Sequence, residues 1–356
     1  MSSILDGVRT LRIVLLSGLG DVVHGLPVVN AIKRARPDIR ITWVVQSMPA
    51  GILMPHDAID RVVLFHRQRG ARGVIALRRE LRGDRPDLTL NLNIDFKSVW
   101  PTVISPAPLR LGFERGRSRD GTWFFCNRHL PPRTRTHTQD MFLEFLEVLR
   151  VPAHSLEWRL RPTASEQEEQ ERFFVRLDGR PVAAIVPASA NPKKDWPPSR
   201  YIELVDRVHA ELDLQPILIG GPGVRETEIA RHIEASSRVP IVNALGDGVR
   251  RLIWLIAGSR VVIAPDTGPV HIARALGVPV VGLYGHTNPW RVGPYRMFED
   301  LWVDAYTDAP GLDASNAQPK LGRMERITTD AVMEKVTRAL THYPTPKGDK
   351  GMLERR

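Results

Sequence analysis

The stretch LRIVLLSGLGDVVHG, residues 11–25, decides the fold class of this chain. Its first six residues are nearly all aliphatic, which is typical of a strand buried on both faces of a parallel sheet. A glycine-containing turn follows at residues 17–20, and a helical pattern then covers residues 22–35. Residues 36–38, RPD, close that helix, and residues 39–45 form a second apolar run. The stretch therefore predicts a strand–helix–strand unit with parallel strands.

The same alternation continues along the rest of the chain. Further strands are predicted at residues 61–65, 88–92, 109–113, 181–186, 215–219, 239–242, 260–264 and 278–284. Further helices are predicted at residues 73–82, 137–149, 198–212, 225–235, 249–257, 269–276 and 328–341. Alternating strands and helices in both halves predict an α/β protein with two doubly wound, Rossmann-like domains.

The domain boundary is predicted from a stretch without regular periodicity. Residues 151–165 contain two prolines and no clean helical or strand pattern, so we interpret them as the linker. The predicted domains are residues 1–160 and residues 161–342, and the Pro-, Gly- and charge-rich residues 343–356 are predicted to form a flexible tail. Ligands of such sheets bind beyond the carboxyl ends of the strands. We therefore expect the active site in a cleft between two facing domains.

The composition indicates a globular protein of a reducing compartment. The 356 residues are 42% hydrophobic and 25% charged, which excludes wholesale disorder, collagen and a disulfide scaffold. Cys126 is the single cysteine and cannot form an internal disulfide. The first residues lack the pattern of a signal peptide, and no run of about 18 apolar residues is present. We therefore expect a cytoplasmic protein.

The charge is strongly basic. The formal net charge is +10, and because 8 of the 50 basic residues are lysines, 42 are arginines. An arginine excess is consistent with genome composition alone. It is also consistent with affinity for nucleic acid, a phosphorylated substrate or an acidic membrane surface, and charge by itself does not separate these partners.

The turn after the first strand contains Asp21. The spacing resembles the start of a dinucleotide-binding fingerprint, but Val23 stands where that fingerprint has glycine or alanine. Asp21 is interpreted either as the cap of the following helix or as a general base, whose carboxylate the positive helix terminus would keep ionised. His24, one turn further on, is equally consistent with a structural and a functional role.

A second motif, APDTGPVH at residues 264–271, predicts an anion site. A strand ends there, a tight turn follows, and Pro269 fits the first position of a helix. The N–H groups of Thr267 and Gly268 would then point out of the helix N-terminus, where they could bind phosphate oxygens, and His271 would lie one turn into the helix. The structural alternative is that Asp266 caps the helix and His271 is a buried core residue.

Two loops of the second half add candidate donor contacts. Residues 189–197 begin with Ser189 and contain Lys193 and Lys194, which could supply charge to a diphosphate beside a strand end. Solvated surface lysines are the alternative. The glycine-rich loop at residues 220–226 ends in Glu226, which is interpreted either as a ribose contact or as a first-turn glutamate of the next helix.

Several signatures are absent from the sequence. It contains no Asp-x-Asp motif, no Walker loop, no Cys/His cluster with metal-ligand spacing and no Gly-x-Ser-x-Gly elbow. We therefore expect no cofactor and no metal. Lysine, a helix dipole and backbone amides would have to balance any phosphate charge.

Taken together, GDVVH at residues 20–24, KDWP at 194–197, DTGPVH at 266–271 and VGLYG at 281–285 resemble the ADP-heptose:lipopolysaccharide heptosyltransferases, glycosyltransferase family 9. The resemblance extends from about residue 10 to residue 340. It implies a GT-B fold, an inverting and metal-independent transfer, and a last helix that packs back on the first domain. It also implies an ADP-heptose donor and an anionic glycolipid acceptor, Kdo–lipid A or an inner-core heptose.

The resemblance implies roles for individual residues. Asp21 would be the general base and Lys194 the diphosphate partner, and the other donor contacts would be Ser189, Glu226, Asp266, Thr267, Gly268 and His271. The acceptor, and transiently the inner face of the inner membrane, would contact basic residues of the first domain. The acceptor candidates are Arg67, Arg69, Lys97, Arg115 and Arg117, and Arg72 and Arg119 join them as candidates for contact with the membrane surface.

Other functions remain open at this stage. A sugar-nucleotide epimerase or hydrolase could use the same fold, because fold does not determine function. A non-catalytic protein that binds a nucleotide sugar is a second alternative. A nucleic-acid-binding protein is a third. No helix-turn-helix, RRM or zinc signature supports that last class, so we expect no nucleic-acid partner.

Overall fold

The computed structural model describes residues 4–104, 107–177, 179–246, 248–308 and 314–343. The chain divides into two compact units, unit 1 over Met1–Arg159 and unit 2 over Leu160–Arg356. Each unit contains one parallel six-stranded sheet with helices between its strands. The predicted fold class is therefore confirmed. Residues 344–356 of the predicted tail lie outside the described residues.

Unit 1 has the strand order of a Rossmann-like sheet. Its strands are β1 (Thr10–Val14), β2 (Arg40–Val45), β3 (Arg61–Leu64), β4 (Leu88–Asn91), β5 (Leu109–Gly112) and β6 (Arg128–His129). Its helices are α1 (Leu19–Ala35), α2 (Ala50–Leu53), α3 (Gly70–Glu80), α4 (Val99–Val103) and α5 (Thr138–Leu149). The order is β3-β2-β1-β4-β5-β6, so its direction reverses between β1 and β4. Such a reversal opens a crevice for ligands at the carboxyl ends of the two strands.

Unit 2 repeats this topology. Its strands are β7 (Val182–Ile185), β8 (Gln215–Leu218), β9 (Val242–Asn243), β10 (Val261–Pro265), β11 (Val280–Tyr284) and β12 (Val303–Asp304). Its helices are α6 (Ala164–Phe174), α7 (Pro198–Leu212), α8 (Val224–Ser236), α9 (Val249–Ala257), α10 (Gly268–Leu276), α11 (Pro289–Val292) and α12 (Thr329–His342). The order is β12-β11-β10-β7-β8-β9, and the reversal lies between β7 and β10.

The central strands of both sheets are buried, and they consist mainly of aliphatic residues. Ile13, Val14 and Val44 of unit 1 and Ile185 and Ile263 of unit 2 are fully buried. A strand without polar alternation can bury both faces only when helices cover the sheet on each side, which the strand–helix alternation provides. None of the helices in the described ranges is both long enough and apolar enough to cross a membrane.

The last helix packs within unit 2, where α12 contacts mainly α7, β11 and the 3-10 helix Glu299–Leu301. Its return to the first domain, which the resemblance implied, stays a prediction. The physical reason for the packing within unit 2 is the apolar stripe of α12, since Val332, Val336 and Ala339 are fully buried within this unit. The stripe has the i, i+4, i+7 spacing of one helix face.

Candidate functional site

In unit 1, polar groups occupy the crevice at the carboxyl ends of β1 and β4. Asn93 follows β4, and its Oδ1 accepts a hydrogen bond from the Leu16 amide at 2.7 Å. Its Nδ2 donates to Ser17 Oγ at 3.0 Å, and Gln46 Nε2 donates to the Leu16 carbonyl. These bonds fix the turn that leads from β1 into α1. The sequence analysis did not identify Asn93, because asparagine after a strand is common in turns.

Asp21 lies in the first turn of α1, directly after this turn. Gly18 is the N-cap residue, and its carbonyl accepts a hydrogen bond from the Val22 amide at 3.2 Å. The interpretation of Asp21 as the N-cap is therefore wrong. The residue is partly exposed, and it stands at the helix end whose dipole favours negative charge. A partly exposed carboxylate in this position has the chemistry of a proton acceptor.

His24 belongs to the packing of α1 against α5. Its side chain is buried, and its Nδ1 lies 3.0 Å from Gln139 Oε1. Gln139 Nε2 donates to the His24 carbonyl at 2.8 Å, and the His24 and His137 rings meet edge to face at 5.6 Å. These contacts favour the structural interpretation of His24, which joins the second turn of α1 to the first turn of α5.

In unit 2, the crevice between β7 and β10 brings together two of the sequence motifs. Lys194, in the loop after β7, donates from its Nζ to Asp266 Oδ2 at 2.6 Å and to the Asp266 carbonyl at 3.3 Å. Asp266 follows β10, and its side chain is 8% exposed against 23% for Lys194. The ammonium is therefore held at the strand ends and still reaches solvent, as a group that binds a phosphate must.

A network of hydrogen bonds shapes the loop that carries Lys194. The Ser189 amide donates to Asp195 Oδ1 at 2.7 Å, and Ser189 Oγ donates to the Asn191 carbonyl at 2.7 Å. Arg225, at the start of α8, contacts both the Asp195 carboxylate and the Ser189 carbonyl. The buried Ser189 therefore has a role in the turn itself. Arg225 was missed by sequence analysis, because a surface arginine in a chain with 42 arginines carries no signal.

Trp196 anchors the same loop to the core of unit 2. Its ring is buried, its Nε1 donates to the Ile327 carbonyl at 3.0 Å, and the Tyr201 ring meets it edge to face at 5.0 Å. The Tyr201 hydroxyl in turn donates to the Val186 carbonyl at 3.0 Å. The tryptophan of the KDWP motif thus fixes the position of Lys194 two residues earlier.

The DTGPVH motif forms the N-terminus of α10, as predicted. Thr267 is the N-cap, Gly268 is the first helical residue, and both are partly exposed. Amides in the first turn of a helix have no partner within the helix, so they and the dipole favour an anion here. His271, one turn further, is buried with a relative exposure of 7%. The helix start and the Lys194 ammonium therefore lie at the same strand end of unit 2.

Tyr284 lies beside this site at the end of β11. The side chain is fully buried, and burial together with the negative charge of Asp266 raises the pKa of its hydroxyl far above the ordinary value. Its ring lies over Gly282, where a Cβ would approach the ring to 2.4 Å. Gly282 is therefore required in the VGLYG motif so that Tyr284 can occupy this position.

Glu226 closes the start of α8. Its Oε2 accepts a hydrogen bond from the Gly223 amide at 3.3 Å, which is the interaction of a helix-capping glutamate. The structure therefore agrees with the interpretation of Glu226 as a first-turn glutamate of α8. A ribose contact by Glu226 stays a prediction.

The basic residues proposed for the acceptor and the membrane surface fall into two groups. Arg67, Arg69, Arg72, Arg115 and Arg119 are exposed, and Lys97 is partly exposed beside Asp95, with Nζ 3.1 Å from Oδ2. The segments that follow β3, β4 and β5 enclose a cavity of about 680 Å³, which is lined by Arg67, Lys97, Arg119, Phe65, Phe96, Trp100, Asp95 and Asp120. A second cavity of about 690 Å³ is lined by Arg115, Arg133 and Arg135 among others.

Arg117 does not belong to this exposed group. It is 3% exposed, and its guanidinium donates to both Glu144 carboxylate oxygens, at 2.7 and 2.9 Å, and to Glu114. These two carboxylates raise the pKa of the guanidinium despite its burial. The expectation that Arg117 contacts the acceptor is therefore corrected. Arg117 joins α5 to the loop after β5, and breaking such a buried pair would be costly.

The charged groups of the unit 2 site are a lysine, a carboxylate and a helix N-terminus. Across the described part of the chain, no three His, Cys, Asp or Glu side chains cluster so that they could hold a metal ion. A diphosphate bound to these groups would meet one ammonium and a positive helix end.

Comparison with known proteins agrees with this geometry. The model of glycosyltransferase family 9 (heptosyltransferase) matches residues 74–320. The lipopolysaccharide core heptosyltransferase OpsX of Haemophilus influenzae is 31% identical over 88% of this chain and 88% of its own length.

Solved structures show the same fold. The family 9 glycosyltransferase of Veillonella parvula superposes with a TM-score of 0.76 at 22% identity, over 94% of this chain and 97% of its own. The E. coli heptosyltransferase WaaC with ADP superposes with a TM-score of 0.70 at 21% identity, over 92% and 97%. The family match covers well over half of the chain, and the predicted family membership is thereby confirmed. The chain belongs to glycosyltransferase family 9, the heptosyltransferases.

Proposed function

We propose that this protein transfers heptose from ADP-heptose to an inner-core acceptor of lipopolysaccharide, Kdo–lipid A or a heptose, without a metal ion and with inversion at the anomeric carbon. Family membership supports the transfer of heptose. The relative OpsX is named a lipopolysaccharide core heptosyltransferase, and the WaaC structure contains ADP. The observation that carries the proposal is the Lys194–Asp266 pair at the N-terminus of α10, in the crevice where such a sheet binds a nucleotide.

Asp21 would activate the acceptor in a single displacement. The acceptor hydroxyl oxygen forms a bond to the anomeric carbon of heptose while its proton passes to the Asp21 carboxylate. The bond from the anomeric carbon to the β-phosphate oxygen breaks at the same time, and ADP leaves with that electron pair. Attack from the face opposite the leaving group inverts the configuration.

The donor groups of unit 2 would stabilise the departing diphosphate. Lys194 Nζ, held by Asp266, contributes a point charge, and the amides of Thr267 and Gly268 contribute the positive end of α10. These groups are in place before the reaction, so they would not need to reorganise as charge develops. Asp266 and His271 would orient the donor, and Glu226 would contact its ribose.

The acceptor would bind at the basic residues of unit 1. Residues 1–159 contain 24 lysines and arginines against 15 aspartates and glutamates, a net charge of +9, which leaves +1 for unit 2. An acceptor that carries carboxylates and phosphates would therefore be attracted to unit 1. We place the exposed Arg67, Arg69 and Arg115 and the partly exposed Lys97 at this contact. The protein would meet the inner membrane from the cytoplasm and transiently.

The test is a direct transfer assay. The protein is incubated with a panel of nucleotide sugars and with Kdo–lipid A, and products are identified by mass spectrometry. We expect one heptose to be added from ADP-heptose, at an unchanged rate in excess EDTA. Release of free heptose or an epimer without transfer would contradict the proposal, as would a loss of activity in EDTA that Mg²⁺ restores.

A further inference from the structure

Unit 1 exposes aromatic side chains to solvent. Phe96 and Trp100 are each 47% exposed, Phe124 is 74% exposed and Val103 is 37% exposed. These four residues are called the aromatic face below. Among the described residues, all the exposed large aromatic side chains belong to this face, whereas unit 2 exposes only the aliphatic Val175, Val224 and Leu321. Exposed aromatic residues that cluster mark a contact surface, while single exposed aliphatic residues need no explanation.

The aromatic face is one continuous patch. Phe96 begins a 3-10 helix that leads into α4, which carries Trp100 and Val103. Phe124 lies in the 3-10 helix Thr122–Phe125, which packs against α4. Phe125 links the two segments, since its ring centroid lies 6.2 Å from that of Phe96 and 5.9 Å from that of Phe124.

Hydrogen bonds hold these two segments in place. Thr102 Oγ1 donates to the Ser98 carbonyl at 2.8 Å, and Thr122 Oγ1 donates to the Arg119 carbonyl at 2.8 Å. The Arg119 amide donates to the Ile94 carbonyl at 2.7 Å and so ties the second segment to the loop after β4. The aromatic side chains therefore project from a fixed backbone, which lowers the entropy lost when they contact a partner.

Cationic side chains surround the aromatic face. Arg67, Lys97 and Arg119 line a cavity together with Phe96 and Trp100. Arg115 lies with its guanidinium carbon 5.7 Å from the centroid of the Trp123 ring, next to Phe124. Nearly all of the net positive charge of the chain belongs to this unit, +9 of +10. Asp95 and Asp120 also line this cavity, and Lys97 pairs with Asp95, so the surroundings of the aromatic face carry both signs with cations in excess.

We propose that the aromatic face inserts into the headgroup region of an anionic bilayer while the surrounding cations contact the lipid phosphates. Aromatic rings favour the boundary between acyl chains and headgroups, and each basic residue near an anionic surface adds attraction. Aromatic insertion alone or basic residues alone would attach the protein only weakly to a bilayer, and this surface combines the two. The inference rests on the proposed function, because it describes how the enzyme reaches a glycolipid acceptor.

A lipid surface fits this patch better than single-stranded nucleic acid does. Bases stack on open ring faces. The rings here meet one another edge to face, at interplanar angles of 80° for Phe96 and Phe125 and 87° for Phe124 and Phe125. The aliphatic Val103 also belongs to the patch and offers nothing to a base.

The test compares two triple variants of the full chain. F96S/W100S/F124S removes the aromatic face, and V175S/V224S/L321S removes three exposed apolar side chains of unit 2 as a matched control. Flotation with vesicles of phosphatidylglycerol and phosphatidylethanolamine is measured at about 50 mM and about 500 mM salt, against vesicles of phosphatidylcholine. We expect the aromatic variant to lose about tenfold or more of its bound fraction on anionic vesicles at both salt concentrations, and the control to bind like the original protein.

Three further measurements separate insertion from misfolding and from the proposed function. ADP affinity should be the same in both variants, and Phe124→Ser alone, at the most exposed position, should show the vesicle defect in smaller measure. Transfer to a deacylated, water-soluble acceptor should persist in Phe124→Ser, which lies outside the cavity lined by Arg67 and Lys97, while transfer to vesicle-borne acceptor falls. If the original protein transfers heptose to neither acceptor, the proposed function fails, while the vesicle result still decides the role of the face.

Two outcomes would overturn the inference. One is vesicle binding by the aromatic variant that equals that of the control. The other is unchanged vesicle binding together with lost retention on poly-uridine RNA, which would assign the face to nucleic acid.

Discussion

The most informative single substitution is Asp21→Asn. It keeps the shape of the side chain but removes its ability to accept a proton, so kcat should fall by roughly 10²–10⁴ while ADP-heptose affinity stays nearly constant. Steady-state kinetics and calorimetric titration of the donor measure the two quantities.

Asp140 provides the matched control for this substitution. It occupies the third helical position of α5 in the same unit, as Asp21 does in α1. Asp140→Asn therefore removes an equivalent helix-dipole interaction, worth about 0.3–1 kcal/mol, and should leave kcat unchanged. An equal loss of activity in both variants would show that the effect of Asp21→Asn is structural.

Lys194 and its neighbour Lys193 allow an equally controlled test of the donor site. Lys194 is held by Asp266 at the strand ends, whereas Lys193 is exposed. A hydrogen bond to a charged group contributes about 1.5–3 kcal/mol, so Lys194→Gln should weaken ADP binding roughly 10- to 100-fold. Lys193→Gln should leave the dissociation constant within about twofold. Equal affinity of both variants would remove Lys194 from the donor site.

Cys126 makes stability depend on pH in the alkaline range. Burial raises the pKa of its thiol to about 11 from a reference value of 9.0. The folded chain therefore holds this proton more tightly than the unfolded chain, and the stability it contributes is lost as pH rises from about 9 to 11.

The comparison with Cys126→Ala isolates this contribution. The free energy of unfolding of the original protein, relative to the alanine variant, should fall by about 1 kcal/mol between pH 8 and pH 10, as measured by urea denaturation. A difference that is constant or grows over this range would show that the thiol titrates normally in the folded state.

Among the secondary-structure elements, those with strong periodicity could be predicted from sequence. The predicted bounds of the helices at residues 198–212 and 249–257 match α7 and α9. The two-residue strands β6 and β12 were missed, because edge pairs this short carry no period.

Side-chain partners at the site were predicted less completely than the elements. Lys194 and Asp266 were both identified, but their contact depends on the order of β7 and β10 in the sheet, which is a long-range property. The same reason applies to Arg117, whose predicted role was wrong, and to Glu226, whose role was left open. The carboxylate that pairs with Arg117 and the amide that donates to Glu226 are brought to them only by the folded loops. Motif position indicates where chemistry occurs, and packing decides which side chains are available for it.

Gly285 directly follows β11 and has no room for a side chain. A Cβ there would lie 2.6 Å from the carbonyl carbon of Arg323 and 2.7 Å from the Met324 amide nitrogen, both of them backbone atoms. Because backbone cannot rotate away, Gly285→Ala should destabilise unit 2 by about 1–3 kcal/mol in chemical denaturation. Gly116→Ala, whose new Cβ would lie 3.6 Å from Glu114 Oε1, should change stability by less than about 0.5 kcal/mol. Equal free energies of unfolding for the two variants would mean that the backbone at residues 323–324 shifts readily to accommodate the new Cβ.

For the molecule as a whole, the net positive charge and the proposed nucleotide site belong to different units. Unit 1 carries +9 and exposes Arg67, Arg69 and Arg115, while unit 2 carries +1 and contains the Lys194 pair and the start of α10. Attraction to an anionic glycolipid and recognition of ADP-heptose should therefore respond to different substitutions.

The charge-reversed variant R67E/R69E/R115E tests this division. It lowers the charge of unit 1 from +9 to +3, so binding to anionic vesicles should fall at least tenfold at about 50 mM salt and the salt dependence should flatten. ADP affinity should stay within about twofold. The reversal R200E/R231E/R238E changes the charge by the same amount in unit 2 and serves as the control, with a smaller loss of vesicle binding expected. Equal losses for both variants would show that only net charge matters, and a parallel loss of ADP affinity in the unit 1 variant would show that the basic residues of unit 1 serve the donor as well.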